Sequence, residues 1–168
     1  MRIGFYIVVY SFLGWALERA INVVYYAEWY DNRVLHLWLQ PMYGLGVVFT
    51  LIAYEKLQKS RIKKRTIFVF TVFIAIFFTA MFEALSGYGY FYFFGKELWN
   101  YKATFPFCQN PYVCVVPSSL FGLFSAYTVI YIHPHIEIWL SYIPKAIRVG
   151  FIILLVVDFV VTYYGVIS

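Results

Sequence analysis

Long apolar runs alternate with short polar breaks along this chain. Five runs, at about 3–25, 37–54, 66–87, 114–132 and 147–167, are each bounded by charges, prolines or polar clusters. A helix needs roughly 20 mostly apolar residues to cross about 30 Å of hydrocarbon, and all five reach that length or come near it. The pattern predicts an all-α integral membrane bundle of about five transmembrane helices, forming a single domain over residues 1–168. The first run does not read as a cleaved signal peptide. No small-x-small site follows it, and Glu18-Arg19 falls where the apolar region of such a peptide would continue.

Two breaks carry more than a turn. Residues 88–113 are predicted as an outer loop holding Trp99, Asn100, Tyr101, Pro106, Cys108 and Pro111. Loops of that length are either functional or disordered, and the aromatics favour order. Residues 133–146 open on His133-Pro134-His135, after which Ile136, Trp139, Leu140 and Ile143 fall at helical spacing. That predicts a short cytoplasmic helix lying in the membrane interface. Two histidines and Glu137 are too few ligands for a metal centre, so neither metal nor cofactor is expected.

Composition agrees with the pattern. Apolar residues are 63% of the chain and charged residues 12%, with a mean hydropathy of +0.74. Soluble domains carry about 45–50% and about 25%. The net charge of +5 does not indicate nucleic acid, because six of the 13 basic residues are gathered between Lys56 and Arg65. Positive residues favour the cytoplasmic side of spanning helices. A cytoplasmic N-terminus puts Arg2, the Lys56–Arg65 cluster, Lys145 and Arg148 inside, nine of the thirteen.

Candidate chemistry lies in the charges within the spans: Glu18, Arg19, Glu83 and Asp158. Each costs at least about 2.5–3.5 kcal/mol at mid-membrane, so such groups face the bundle interior or water. At about 100° per residue, Ser11, Gly14, Glu18 and Asn22 share one face of the first helix. Thr79, Glu83 and Ser86 share one on the third, and Asp158, Thr162 and Gly165 one on the fifth. By helical rise, Glu18 and Glu83 lie roughly 22 and 26 Å from the cytoplasmic ends of their helices. Both therefore belong to an outer-half polar pocket, near the start of the second helix at Gln40-Pro41. Arg19 points about 100° away from Glu18 and is placed to balance Glu83. A structural ion pair is the alternative reading of the same residues. Gly46 with Thr50, and Ser118 with Gly122 and Ala126, read as helix contacts. Cys108 and Cys114 face an oxidising compartment in this topology and are a possible disulfide. No Walker A, GxSxG, HExxH or CxxC sequence is present, so no catalytic residue is assigned.

Several segments together resemble a family of small multispanning proteins, the ABC-transporter type IV permeases. They are Tyr10-Ser-Phe-Leu-Gly-Trp-Ala-Leu-Glu18, Gln40-Pro-Met-Tyr-Gly44, Glu83-Ala-Leu-Ser-Gly87, Trp99-Asn-Tyr101, Val113-Cys-Val-Val-Pro-Ser-Ser-Leu-Phe-Gly122 and His133-Pro-His-Ile-Glu137, in the family's order. Asn100 stands where the family usually has an aspartate. The resemblance implies a plasma (inner) membrane location and a separate ATPase or other membrane subunits as partners. The expected function is a permease-like component that binds a small polar or cationic solute, or a lipid headgroup. Glu18 and Glu83 would bind, with Arg19, Asn22, Gln40, Tyr43 and Asp158 around them and Trp99 and Tyr101 capping the site. The alternatives are a non-transporting accessory subunit and, third, an intramembrane lipid-modifying enzyme.

Overall fold

The computed structural model describes residues 2–26 and 35–167. Every regular element among them is helical: α1 (Arg2–Tyr26), α2 (Pro41–Gln58), α3 (Lys64–Phe94), α4 (Tyr101–Thr104), α5 (Val115–Tyr127), α6 (His133–Tyr142) and α7 (Lys145–Ile167). A π turn, Thr128–Ile132, joins α5 to α6.

Among the described residues four stretches are long and apolar enough to span a bilayer: Arg2–Val24, Lys64–Phe94, Val115–Tyr142 and Lys145–Tyr164. The second predicted span, 37–54, corresponds to α2, which is only 18 residues and ends in Glu55, Lys56 and Gln58. That polar end is exposed, while the apolar part of the helix packs on α1, α3, α5 and the π turn. Tyr10, Val47, Val48, Leu51, Val129 and Leu140 form the main core around it. Away from the core the apolar side chains turn outward, Phe73 at 67% exposure and Phe77 at 63%. A surface of that kind suits lipid rather than water.

Three boundaries differ from the sequence reading. Residues 37–40 are not helical; Pro41 occupies the first turn of α2, where its missing N–H costs nothing. α3 runs on to Phe94, 31 residues and about 46 Å long at 1.5 Å per residue. It stops at Gly95, whose φ of 65° is the left-handed conformation that closes helices. The helix predicted to end near 132 does not stop there: α6 follows the π turn without a break, so the chain stays helical from Val115 through Tyr142. A proline inside a helix clashes with the carbonyl four residues earlier. For Pro134 that carbonyl belongs to Ile130, within the π turn, where the helix is widened.

The basic connection between α2 and α3 is where the expected orientation can be tested. Positive residues resist translocation, so Ser60→Cys, with Cys108 and Cys114 replaced by serine, is expected to resist an impermeant maleimide in intact cells. It is expected to label after permeabilisation. Ready labelling in intact cells would reverse the orientation.

Candidate functional site

Small residues along α3 and α5 let their backbones approach closely. On α3, Ile67, Thr71, Ala75, Thr79, Glu83 and Gly87 are buried at four-residue spacing. Gly122 of α5 lies against the Ile76 backbone. That approach seats Ser118, one turn before Gly122, so that its hydroxyl donates to Glu83 Oε2 at 2.5 Å. Glu83 is 1% exposed. Its other oxygen accepts from the Tyr101 hydroxyl at 2.9 Å.

Tyr101 arrives from a built loop. Asn100 caps α4 by accepting from the Ala103 N–H, and the Tyr101 N–H donates to the Pro111 carbonyl at 2.7 Å. The Trp99 indole donates to the Tyr112 carbonyl. Asn110 accepts from the N–H groups of Tyr112 and Val113, and Cys108 is bonded to Cys114. The loop is ordered by these contacts.

On α2, the Tyr43 hydroxyl donates to Glu18 and lies within electrostatic reach of Glu83 and Tyr101. Glu18 and Glu83 also feel one another's charge. Gly14 makes room for this: a Cβ there would collide with the Tyr43 ring. Beside the cluster is a cavity of about 280 Å³ between α1, α2, α3 and α5. Glu83 is the acid on its wall, among Tyr10, Tyr43, Thr79, Phe121 and Phe124. The wall is mainly apolar and aromatic, whereas the sequence suggested a polar pocket. The sequence placed acids but could not show which apolar side chains would surround them.

The structure thus brings Glu18, Tyr43, Glu83 and Tyr101 together. The other sequence candidates lie elsewhere. Gln40 and Trp99 line a neighbouring cavity of about 370 Å³, with Leu35, Ser86 and Tyr163. Asn22 is half-buried on α1 and lines neither cavity. Arg19 is buried but does not pair with Glu83; its guanidinium lies 6.0 Å from the Trp15 ring centre. Asp158 is not in the pocket either. It accepts from the backbone N–H groups of Leu37 at 2.8 Å and His36 at 3.2 Å, tying α7 to the segment before α2. The His36 ring is 3.0 Å from both Asp158 and Thr162, through the same Nδ1. The shared nitrogen makes this trio a fastening of α7 to the segment before α2.

Sequence reasoning missed Ser118, which reads as one of a small-residue stripe and is the shortest contact to Glu83. It also missed Tyr10 with His133, joined at 2.5 Å inside the bundle. The stripe's spacing marked the helix contact, and a hydroxyl opposite a buried acid was the available signal.

Among the described residues, helices alone, an apolar exterior, four helices able to span a bilayer and buried carboxyl groups in the interior define an integral membrane protein. A family profile described as "Putative ABC-transporter type IV" matches residues 5–165, nearly the whole chain. The chain belongs to that family, and it is a transport-related membrane protein. No curated protein and no solved structure gives a significant match to it.

Proposed function

We propose that this chain is the permease-like membrane component of a transport system, and that its interior cavity takes a small solute with a cationic head and an apolar body. The observation that carries this reading is Glu83, buried on the cavity wall and held by the neutral donors Ser118 and Tyr101. Among the described residues no basic side chain pairs with it. A buried carboxylate gains most from a cation that arrives with few waters of its own, and aromatic faces attract the same charge. The family's transport description supports a separate ATPase subunit and a plasma-membrane location.

An accessory, non-transporting subunit is the second reading. It is favoured by the same two hydrogen bonds, which already satisfy both carboxyl oxygens and so suit an architectural role.

Calorimetry of the purified protein in micelles separates the two. 2-Phenylethylamine is expected to bind, and its neutral isostere 2-phenylethanol to bind at least about tenfold more weakly, as loss of a charged hydrogen bond implies. Glu83→Gln is expected to abolish that preference, while Tyr101→Phe, which leaves the carboxyl in place, keeps it. Equal affinity for amine and alcohol would overturn the solute reading. So would a folded Glu83→Gln protein with unchanged amine affinity. Loss of stability alone, with no amine binding in the unaltered protein, supports the accessory role.

A further inference from the structure

At the other end of α3 from Gly95, a cavity of about 680 Å³ opens between α2, α3 and the π turn. Its wall is divided by chemistry. One part carries Gln58, Ser60 and Lys64; the other carries Phe68, Ile130 and Tyr131. Phe68 is 46% exposed and Tyr131 52%, so the apolar part opens toward the lipid-facing surface.

The charge around it is one-sided. Lys64 is on the wall, and the segment between residues 54 and 68 carries Lys56, Lys59, Arg61, Lys63 and Arg65 besides, against Glu55 as its one acid. Glu55 does not neutralise them from inside the cavity. It is absent from the wall, and its charge bears on Tyr6 and His133. α3 begins at Lys64, so the positive end of that helix dipole adds to the field at the same place. The Ser60 proton is committed to the Leu57 carbonyl at 2.5 Å, which leaves Lys64 as the cation on the wall, with the Gln58 amide and the Tyr54 and Tyr131 hydroxyls as neutral side-chain donors.

We propose that this cavity seats an anionic phospholipid, with its phosphate against Lys64 and Gln58 and its acyl chains along Phe68 and Tyr131. A basic cluster beside a spanning helix attracts anionic lipid at about 1 kcal/mol per charge. The apolar half of the wall selects a lipid over a free anion: inorganic phosphate has nothing to place on Phe68 or Tyr131. The site is separate from the Glu83 cavity and shares no lining residue with it.

The test uses delipidated protein in a neutral detergent and phosphatidylglycerol with a fluorescent acyl chain. Tail-labelled phosphatidylcholine is the neutral comparison. The anionic lipid is expected to bind more tightly. Lys64→Gln is expected to weaken it about fivefold, the equivalent of one such charge. Lys56→Gln removes the same charge from a residue outside the wall and is expected to cost less than about twofold by the same measure. Phe68→Ala is expected to weaken the lipid without any change of charge. Equal binding of the two lipids would overturn the proposal. Equal losses for Lys56→Gln and Lys64→Gln would also overturn it, showing a diffuse field instead of a seat. Displacement of the lipid by millimolar inorganic phosphate would overturn it in favour of a free-anion site. Lys64 and Lys56 are both exposed, so neither change threatens the fold.

Discussion

Gly122→Leu is expected to prevent α3 and α5 from packing. A Cβ at that position would lie 2.5 Å from the Ile76 Cα. The obstacle is backbone and cannot swing aside as a side-chain tip would. Overpacking of a close-fitted contact costs typically 1–3 kcal/mol and occasionally more, and here about 3 kcal/mol is expected because a whole helix must move. The expected readout is a lowered midpoint of thermal unfolding in micelles, with loss of the monodisperse peak on size exclusion. Gly89 supplies the comparison. It lies in α3, and nothing would meet its Cβ within 4 Å. Gly89→Ala is expected to be neutral or stabilising by up to about 1 kcal/mol, from helix propensity alone. If both substitutions behave alike, the close approach of α3 and α5 is wrong.

Asp158→Ala is expected to release the segment ahead of α2. The carboxylate accepts from two backbone N–H groups and from His36, and it is only 8% exposed. Removing it leaves two backbone donors without their acceptor, at about 1.5–3 kcal/mol for a charged hydrogen bond. Hydrogen exchange at the His36 and Leu37 amides reads this directly. A loss near the upper figure corresponds to roughly hundredfold faster exchange. Asp158→Asn keeps one carbonyl acceptor and is expected to fall between. Unchanged protection at those two amides would show that α7 does not hold the segment.

Much of the fold was legible because a bilayer imposes one simple rule on a chain. Every backbone polar group must be satisfied internally, so runs of apolar residues near 20 long become helices. The runs at 3–25 and 147–167 became α1 and α7 within a few residues. Boundaries failed where a specific contact outweighed hydropathy: Asp158 holds residues 36 and 37 out of α2, and the π turn carries the helix past Pro134. The candidate site was half legible. Helical periodicity placed Glu18 and Glu83 on inward faces, because an acid in lipid has few choices. Periodicity carries no information on how helices are rotated about one another, so it could not assign Ser118 to Glu83. It also sent Arg19 toward Glu83, when the residue lies over Trp15. Gln40 and Trp99 were drawn to the site by their place in the sequence, and Met42 and Phe82, which line both cavities, divide them from it.

The two donors on Glu83 have different origins. Ser118 belongs to α5, which packs directly on α3. Tyr101 lies on the connection between those same helices, with its N–H on the Pro111 carbonyl and a Cys108–Cys114 bond further along the same segment. The carboxyl's shell is therefore shared between the membrane-spanning bundle and the connection outside it, so a change confined to that connection reaches an acid buried among the helices.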